Sequence, residues 1–494
     1  MRDRDSGVKR IGIYKELDWK MIMYLALIIG VVSVPLMTDY VLAGSSLQAS
    51  LSRIEAMSQG IGKVFPIRIV PWISLDYGYG AASFQADLFF LVPALLRILG
   101  CGIGTAYKLS LFLTNMVTAV IAYKCFRKCF GGKDIGLIGS MLYTWCPYRL
   151  SEIYISGDFG EIAAWMFLPI LLSGLVRLYN AEGTTEYEKE EYDRLWVTFT
   201  WGFSLLALSS TSMLFVAVGM SAFVFLLMGK SSLQKRKIFI VGKTICAALL
   251  VNAWFLLPML LRMRDVSAVG ILIPRDFGSR GMYFAQYLNV FQWGGDSTAL
   301  FENGMVGARA MGPGIVVALL ALLYVWILYV QKYPDAKGQG EFGKRMICVC
   351  LLLIFLSSNC FPWDFFQDRN MLFSILLALL QTPAKWGVSA CAGLIVVACL
   401  SLRKVSERES MKNSKMLFLT TVSVSFATTQ FLLGNILKTR PYVRLEEENY
   451  ALLPLQIIMQ ESIVWRLCEL ISAAVLCGGL LISIVRRRKG VKKV

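Results

Sequence analysis

The chain has 494 residues, 56% of them hydrophobic, with a formal net charge of +17 and no histidine. A mean hydropathy of +0.59 excludes an ordinary soluble domain, and the lack of histidine excludes a Ser–His–Asp triad and histidine-ligated metals or haem. The 12 cysteines form no paired CxxC framework, so neither a zinc site nor a disulfide scaffold is indicated.

The predicted elements begin with a charged N-terminal tail, residues 1–19, and continue with about twelve apolar segments. A helix of roughly 20 residues crosses about 30 Å of hydrocarbon, and only helices or closed barrels satisfy every backbone polar group in lipid. No alternating strand pattern is present, so the predicted fold class is all-α: a polytopic transmembrane helical protein, one membrane domain over residues 1–494. The predicted spans lie near residues 20–38, 104–124, 135–148, 161–179, 196–210, 212–229, 238–261, 312–331, 345–358, 384–402, 416–436 and 462–485.

Basic residues predict the orientation of these spans. Stretches such as YKCFRKCFGGK and the tail at 486–494 lie between or after spans, which is typical of cytoplasmic anchors and places both termini in the cytoplasm. The same clustering accounts for the positive charge without nucleic acid. Because successive spans alternate in direction, these cytoplasmic assignments require that residues 84–100 do not cross the membrane. Residues 84–100 are predicted to form an outer re-entrant or interfacial helix broken at Pro93. Residues 371–381 are also too short to span. The predicted outer loops are 39–103, 149–160, 262–311 and 358–383.

The first outer loop opens with AGSSLQASLSRIE, residues 43–55. Read as a helix, this stretch places Leu47, Leu51 and Ile54 on one face and small polar residues on a neighbouring face. We therefore predict an amphipathic helix at the outer interface. A lid that merely rests on lipid is the alternative.

Two further outer stretches carry aromatic and ionisable side chains. An irregular loop holds Trp72, Tyr77 and Tyr79, and the stretch YTWCPYRLSEIYISGDFGE crosses from the third predicted span to the fourth. Its ionisable residues are predicted to lie at the membrane surface, where they either bind a ligand or anchor span ends. They are Arg149, Glu152, Asp158 and Glu161.

The order of short motifs resembles a known family. SRIE, GKVFPIRIVPW, YGYG, FQADLFFLVPALLRILG, LYTWCPYRLSEIY, FPWD and LQTPAKW are similar to the YfhO-like, 6-pyruvoyl-tetrahydropterin-synthase-related bacterial membrane proteins. That family is similar in architecture to the GT-C glycosyltransferases. The resemblance covers roughly residues 20–400.

The resemblance implies an enzyme of the bacterial plasma membrane that takes a sugar from a polyprenyl-phosphate donor in the lipid to an outer acceptor, either a cell-envelope polymer or a protein. Such a reaction needs a carboxylate that accepts a proton or holds a divalent cation such as Mg²⁺ or Mn²⁺, and a cation for the lipid phosphate. Arg149 and Lys385 are expected to converge on one outer cavity and hold that phosphate. The implied substrate-binding residues are Arg53, Arg149, Glu152, Asp158, Glu161, Lys385, Trp72, Tyr77 and Tyr79; none is assigned to a metal.

The sequence departs from the family pattern at the residues that would perform catalysis. The family shows a Gly–His–Asp opening in the first outer loop, but Ser45 stands at the histidine, Ser46 at the presumed catalytic aspartate and Ser50 at a second histidine. Lys385 stands where the family has arginine. A serine without a histidine partner is no competent base.

Two explanations stay open for this departure. Another acid has taken the role, with Glu55, Asp76 and Asp39 as the main candidates and Asp87, Asp158 and Glu161 behind them. Alternatively, the chain binds a lipid-linked sugar or a partner protein without transferring anything. A transporter or flippase of surface-polymer precursors and a non-catalytic scaffold are hypotheses from other classes.

Overall fold

An apolar helix, α1 (Trp19–Ser33), begins the described structure and ends in a 3₁₀ turn at Val34–Met37. The computed structural model describes residues 19–38, 40–42, 44–61, 86, 88–180, 186–262, 277–288, 310–329, 339–367, 371–408, 411–439 and 442–443. The chain is all-α apart from one short antiparallel ladder, β1 (Val41–Leu42) with β2 (Tyr442–Val443), within these residues. The other helices are α2 (Leu47–Gly60), α3 (Leu91–Ile98), α4 (Ile103–Phe130), α5 (Lys133–Thr144), α6 (Pro147–Ser151), α7 (Phe159–Ala164), α8 (Leu168–Asn180), α9 (Glu186–Asp193), α10 (Leu195–Ala207), α11 (Thr211–Leu227), α12 (Lys235–Val251), α13 (Ala253–Arg262), α14 (Phe284–Leu288), α15 (Ile315–Tyr329), α16 (Gln339–Ser357), α17 (Trp363–Gln367), α18 (Met371–Leu380), α19 (Trp386–Arg408) and α20 (Met411–Thr439).

Several helices have the length and composition of membrane spans, as a polytopic helical membrane protein requires. Five segments among the described residues are long and apolar enough: Trp19–Met37, Ile103–Phe130, Phe159–Asn180, Pro383–Glu407 and Ser414–Gly434. The pair α12 and α13 makes a sixth if it is one broken span. Other predicted spans form shorter helices, such as Thr211–Leu227 and Ile315–Tyr329, and the predicted span at 462–485 lies outside the described residues.

The predicted span at 238–261 is wrong as a continuous helix. The axes of α12 and α13 meet at 79°. The interruption lies at Asn252, whose side-chain amide donates to Ala248 O at 2.7 Å and to Ser204 Oγ at 2.7 Å. A side-chain amide that bonds to the preceding turn and to a neighbouring helix competes with helix continuation.

The predicted span at 135–148 is also interrupted. Helix α5 ends at Thr144 because Pro147 disfavours a helical conformation at Cys146, which is extended instead (φ −55°, ψ 123°). Helix α6 then starts with Pro147 in its first turn, a position that needs no N–H donor. A π-helical turn follows at Glu152–Ser156 and ends at Gly157, which has φ +76°.

The segment predicted not to cross forms a short helix, α3, after a 3₁₀ turn at Leu88–Phe90. Pro93 does not break it, because the residue lies in the first turn of α3, where proline is tolerated. Residues 371–381 also form a helix of only 10 residues, α18. The length of α18 agrees with the expectation that residues 371–381 are too short to span, and the non-crossing of residues 84–100 stays a prediction.

Helix α19 lies at the centre of the bundle. Its residues from Trp386 to Leu402 are almost all buried, and α5 approaches it closely at Gly139. A Cβ added at Gly139 would lie 2.9 Å from Cys399 Sγ, so only glycine allows this approach. Small residues at helix contacts are typical of membrane bundles, where close packing replaces the hydrophobic effect.

Many connecting segments meet at one end of the bundle, which we call the loop end. Lys108 Nζ at the start of α4 donates to Thr38 O at 2.5 Å, and β1 pairs with β2 at the end of α20. Ser46 N donates to Ser156 O at 2.8 Å. The loop end therefore contains α2, α3 and the residues around Gly157, which belong to the predicted outer loops 39–103 and 149–160.

We predict that Ser45 and Cys101 lie on the same side of the membrane. Ser45 is exposed and contacts the π-turn through its backbone, while Cys101 O accepts a hydrogen bond from Arg97 in α3. In a background without other exposed cysteines, a membrane-impermeant maleimide should label Ser45→Cys and native Cys101 from the same face. Lys230→Cys, beyond the far end of α11, is the control for the opposite face. Labelling of Ser45→Cys and Cys101 from opposite faces would contradict this topology.

Candidate functional site

Helix α2 is docked on protein and does not rest on lipid. Its apolar face, Leu47, Leu51 and Ile54, is buried within the main core, whereas the alternative of a lid on lipid would leave that face against the lipid. Ser50 Oγ donates to Gly157 O at 2.8 Å and accepts from Phe159 N at 3.1 Å. The serine that stands at an expected histidine position is thus a buried bridge between α2 and the start of α7.

Ser46 and Ser45 begin α2 without acting as side-chain caps. Ser46 is the N-cap residue and its hydroxyl makes no capping bond, although serine is a preferred residue there. Its backbone N–H contacts Ser156 O instead. Close approach at Gly44 fixes this turn, because a Cβ there would lie 2.5 Å from Ser156 O.

Glu55, a leading candidate for the catalytic base, is held by an arginine. Its Oε2 lies 2.9 Å from Arg97 Nε, and Gln59 Nε2 donates to its Oε1 at 3.3 Å. Glu55 is buried, whereas the Arg97 side chain is 24% exposed and also donates to Cys101 O at 3.1 Å. The ion pair ties α2 to α3. Nearby, the Arg53 guanidinium lies 5.0 Å above the ring of Phe90.

Asp158 has a capping role at the next connection. Its Oδ1 accepts from Gly160 N at 3.0 Å and from Glu161 N at 3.2 Å, which satisfies two of the unpaired N–H groups at the start of α7. A carboxylate at a helix N-terminus is also favoured by the helix dipole. Asp158 therefore contributes directly to the local fold.

Glu161 and Lys385 form a buried ion pair. The Lys385 ammonium contacts Glu161 Oε1, and it donates to Gln381 Oε1 at 2.5 Å and to Ser212 Oγ at 3.1 Å. Glu161 lies in α7 and Ser212 in the first turn of α11. Gln381 lies in the turn between α18 and α19. Three acceptors match the three N–H donors of an ammonium group.

Gln381 is held in an unusual backbone conformation beside this pair. It is the non-glycine residue with positive φ, +64°, among the described residues. Such a conformation costs energy and persists only where the surroundings enforce it. Here the turn between α18 and α19 requires it, and it brings the Gln381 amide oxygen to the ammonium of Lys385.

Arg149 lies deeper than predicted. It is fully buried, and its guanidinium donates to Asn115 Oδ1 at 2.6 Å and to Thr144 O at 3.0 Å. Asn115 is near the middle of α4, so the charge lies inside the bundle. The break between α5 and α6 is the reason, because it turns the start of α6 inward. The Arg149 Nε has no hydrogen-bond partner in the described part of the chain.

The contacts of Arg149 and Lys385 do not test their predicted convergence on one cavity, which stays a prediction. The two cations have separate sets of partners, and no residue belongs to both sets in the described structure. Tyr148, beside Arg149, does reach across, since its hydroxyl donates to Ala384 O at 3.0 Å. Glu152 is also buried, in the π-helical turn.

Five predicted site residues lie outside the described residues: Asp39, Trp72, Asp76, Tyr77 and Tyr79. Asp87 does too. Within the described ranges no group of three or more potential metal ligands is close enough to hold an ion. The divalent cation therefore stays a prediction.

Sequence reasoning missed the partners Arg97, Gln381 and Ser212. A signal existed for the first of these, because a lone arginine in an apolar segment needs an acceptor and Glu55 was an unpaired acid in the same outer loop. No comparable signal marked Gln381 or Ser212, whose roles depend on the turn before α19 and on the docking of α11.

No protein-family model matches the sequence, and no curated protein matches it. Among solved structures, the arabinofuranosyltransferase AftD from Mycobacteria is similar with a TM-score of 0.47 and 13% identity over 86% of this chain and 28% of that chain. The Archaeoglobus fulgidus oligosaccharyltransferase in the apo form has a TM-score of 0.44 and 12% identity over 85% of this chain and 57% of its own. The same organism's AglB, in complex with an inhibitory peptide and a dolichol-phosphate, has a TM-score of 0.45 and 12% identity over 85% and 56%.

The chain thus spans less than two thirds of the length of these solved structures. The similarities are partial and do not assign the chain to a family. The YfhO-like resemblance stays a prediction as well.

We predict that Glu161→Gln destabilises the protein strongly, because it leaves the buried Lys385 ammonium without its counter-ion. Breaking a buried pair costs roughly 3–5 kcal/mol of the free energy of unfolding. Denaturant unfolding of the protein in detergent micelles measures the change. Glu407→Gln is the matched control, since the Arg403–Glu407 pair is exposed and its loss should cost less than about 1 kcal/mol. Equal, small changes in both variants would contradict the structural role of the buried pair.

Proposed function

We propose that the chain is a GT-C-like membrane protein that binds a polyprenyl-phosphate-linked sugar at the loop end and does not transfer it. The proposal rests on one observation. Each candidate base that the structure describes already bonds to another group of the protein. Glu55 is paired with Arg97, Asp158 caps α7, and Glu161 is paired with Lys385. At the position where the resemblance expects the catalytic aspartate, the chain has a serine.

These bonds matter because glycosyl transfer needs a base that is free to accept a proton. The acceptor hydroxyl must lose a proton to a positioned base as the anomeric carbon gains oxocarbenium character. A carboxylate that is already bonded to a buried cation or to helix N–H groups must break those bonds before it can take a proton. Ser46 offers no charge at neutral pH.

The motif resemblance supports the binding half of the proposal. Lys385 occupies the position of the family's arginine and lies at the loop end with Glu161. For Lys385 to hold a lipid phosphate, phosphate oxygens must replace Glu161 at the ammonium. The apolar polyprenyl chain would lie in the surrounding lipid, and the bacterial plasma membrane is the proposed location.

One observation favours a second candidate, the movement of a lipid-linked sugar across the membrane. Arg149, Asn115 and Ser33 form a hydrogen-bonded chain inside the bundle, where Asn115 Nδ2 donates to Ser33 Oγ at 3.2 Å. Buried ionisable groups at such depth mark substrate pathways in transporters. Flipping of a fluorescent polyprenyl-phosphate sugar in proteoliposomes, compared between wild type and Arg149→Met, separates this candidate from binding alone.

We predict that the purified protein binds polyprenyl-phosphate sugars without transferring them. The reason is the absence of an available base in the described site. Incubation with a panel of radiolabelled donors in nanodiscs should give saturable retention of label in lipid and no label in an added acceptor. Transfer by wild type that disappears in Glu55→Gln would overturn the proposal and assign the base to Glu55 despite its arginine.

We predict that Ser46→Asp gains transfer activity if the remaining site can still orient donor and acceptor. Positioned acid–base catalysis contributes on the order of 10²–10⁴-fold, so the gain should appear as a rate and not as an affinity. Ser45→Asp is the matched control, because it adds the same charge one residue away. Equal gains from both variants, or donor binding that changes while the rate does not, would show that Ser46 does not mark the lost base.

A further inference from the structure

A small cleft lies beside Pro147, where α6 begins. It is enclosed by the break between α5 and α6, the start of α15 and one face of α20, and its volume is about 20 Å³, which is room for one oxygen-sized group. Its depth follows from Trp145, which lines it and whose indole N–H donates to Ile28 O in the interior of α1. No residue of the loop-end site lines this cleft.

The N-terminus of α15 faces the cleft. Helix α15 begins at Ile315 after Gly314, which has φ +93°, and Ile315, Val316 and Val317 all line the space. The N–H groups of a helix's first turn have no acceptor within the helix, and the helix dipole adds positive charge there. This helix has 15 residues, so the N–H groups form a stable donor set.

Helix α20 contributes hydroxyl groups from its inward face. Ser425 and Thr429 are buried and line the cleft with Thr428, whereas the outward face carries exposed apolar residues such as Leu419 and Phe431. Thr428 Oγ1 is occupied, since it donates to Val424 O at 2.9 Å. Ser425 is 5% exposed, and its Oγ has no hydrogen-bond partner in the described structure. Buried hydroxyls are normally bonded, so an unpaired one that lines a cleft indicates a missing partner.

The lining and the rim identify the chemistry of that partner. The lining residues include no lysine, arginine, aspartate or glutamate, so the cleft has no counter-ion for a charged group at this depth. Ile315, which lines the cleft, and Phe426, the neighbour of Ser425 in α20, are 40% and 43% exposed and apolar, which favours entry from lipid. The first-turn N–H groups and the Ser425 hydroxyl are donors. The partner must therefore be uncharged, enter from lipid and accept hydrogen bonds. An uncharged acceptor oxygen on a lipid meets these three conditions.

We propose that this cleft binds the ester carbonyl oxygen of a membrane glycerolipid, with the start of α15 and Ser425 Oγ as donors. The site is independent of the proposed function at the loop end. It anchors one lipid against α20, which otherwise presents its polar face to an incompletely filled space.

Ester and ether lipids test this inference, because they share headgroup and chains and differ in the carbonyl. Native mass spectrometry of the full chain, with diester and diether phosphatidylglycerol in competition, measures the preference. Wild type should retain the diester about three- to tenfold more strongly, the scale of one hydrogen bond. Ser425→Ala should remove most of this preference. Thr420→Val, an exposed threonine of the same helix, should keep it.

Three results would overturn the inference. Equal retention of the two lipids by wild type would show that no carbonyl is bound. A preference that persists in both Ser425→Ala and Thr429→Val would place the carbonyl elsewhere, and the second variant serves if the first does not fold. Retention that depends on an anionic headgroup and not on the linkage would show that a phosphate is the ligand.

Discussion

An ammonium group inside a helix bundle must be surrounded by acceptors, and at Lys385 those acceptors come from three separate elements. Glu161, Ser212 and Gln381 each approach the same nitrogen. The contact holds α7, α11 and the start of α19 in one arrangement, and Gln381 adopts a costly backbone conformation to take part in it. Because the loop end is built on this contact, Lys385 cannot bind a ligand without competition from the protein itself.

The same rule governs the other polar groups at the loop end. Glu55 satisfies Arg97, Ser50 joins α2 to Gly157, and Asp158 satisfies N–H groups of α7. In a low-dielectric interior each of these groups would be costly to leave unpaired. The candidate catalytic residues therefore also hold helices together. The chain lacks the expected aspartate and all histidines, yet these polar groups are hydrogen-bonded or paired.

The sequence predicted the features that depend on local pattern. Apolar length predicted an all-α membrane bundle, and the spacing of Leu47, Leu51 and Ile54 predicted α2. That residues 84–100 do not cross the membrane stays a prediction. The sequence did not predict the break at Cys146, although Pro147 was a local signal for it. It also did not predict the break at Asn252 or the depth of Arg149. Those features depend on partners far apart in the chain: Asn252 bonds to Ser204, and Arg149 bonds to Asn115. Pairings at such separation have no periodic signature, so hydropathy alone produces continuous spans.

The central claim is that the candidate acids are structural, and a double-variant cycle at Glu55 and Arg97 tests it most directly. Glu55→Gln and Arg97→Met alone should each destabilise the protein, because each leaves a buried or half-buried charge without its partner. The double variant should recover most of that stability and should bind polyprenyl-phosphate sugars as wild type does. The account is contradicted if the double variant is stable but lacks a sugar-transfer activity that wild type possesses.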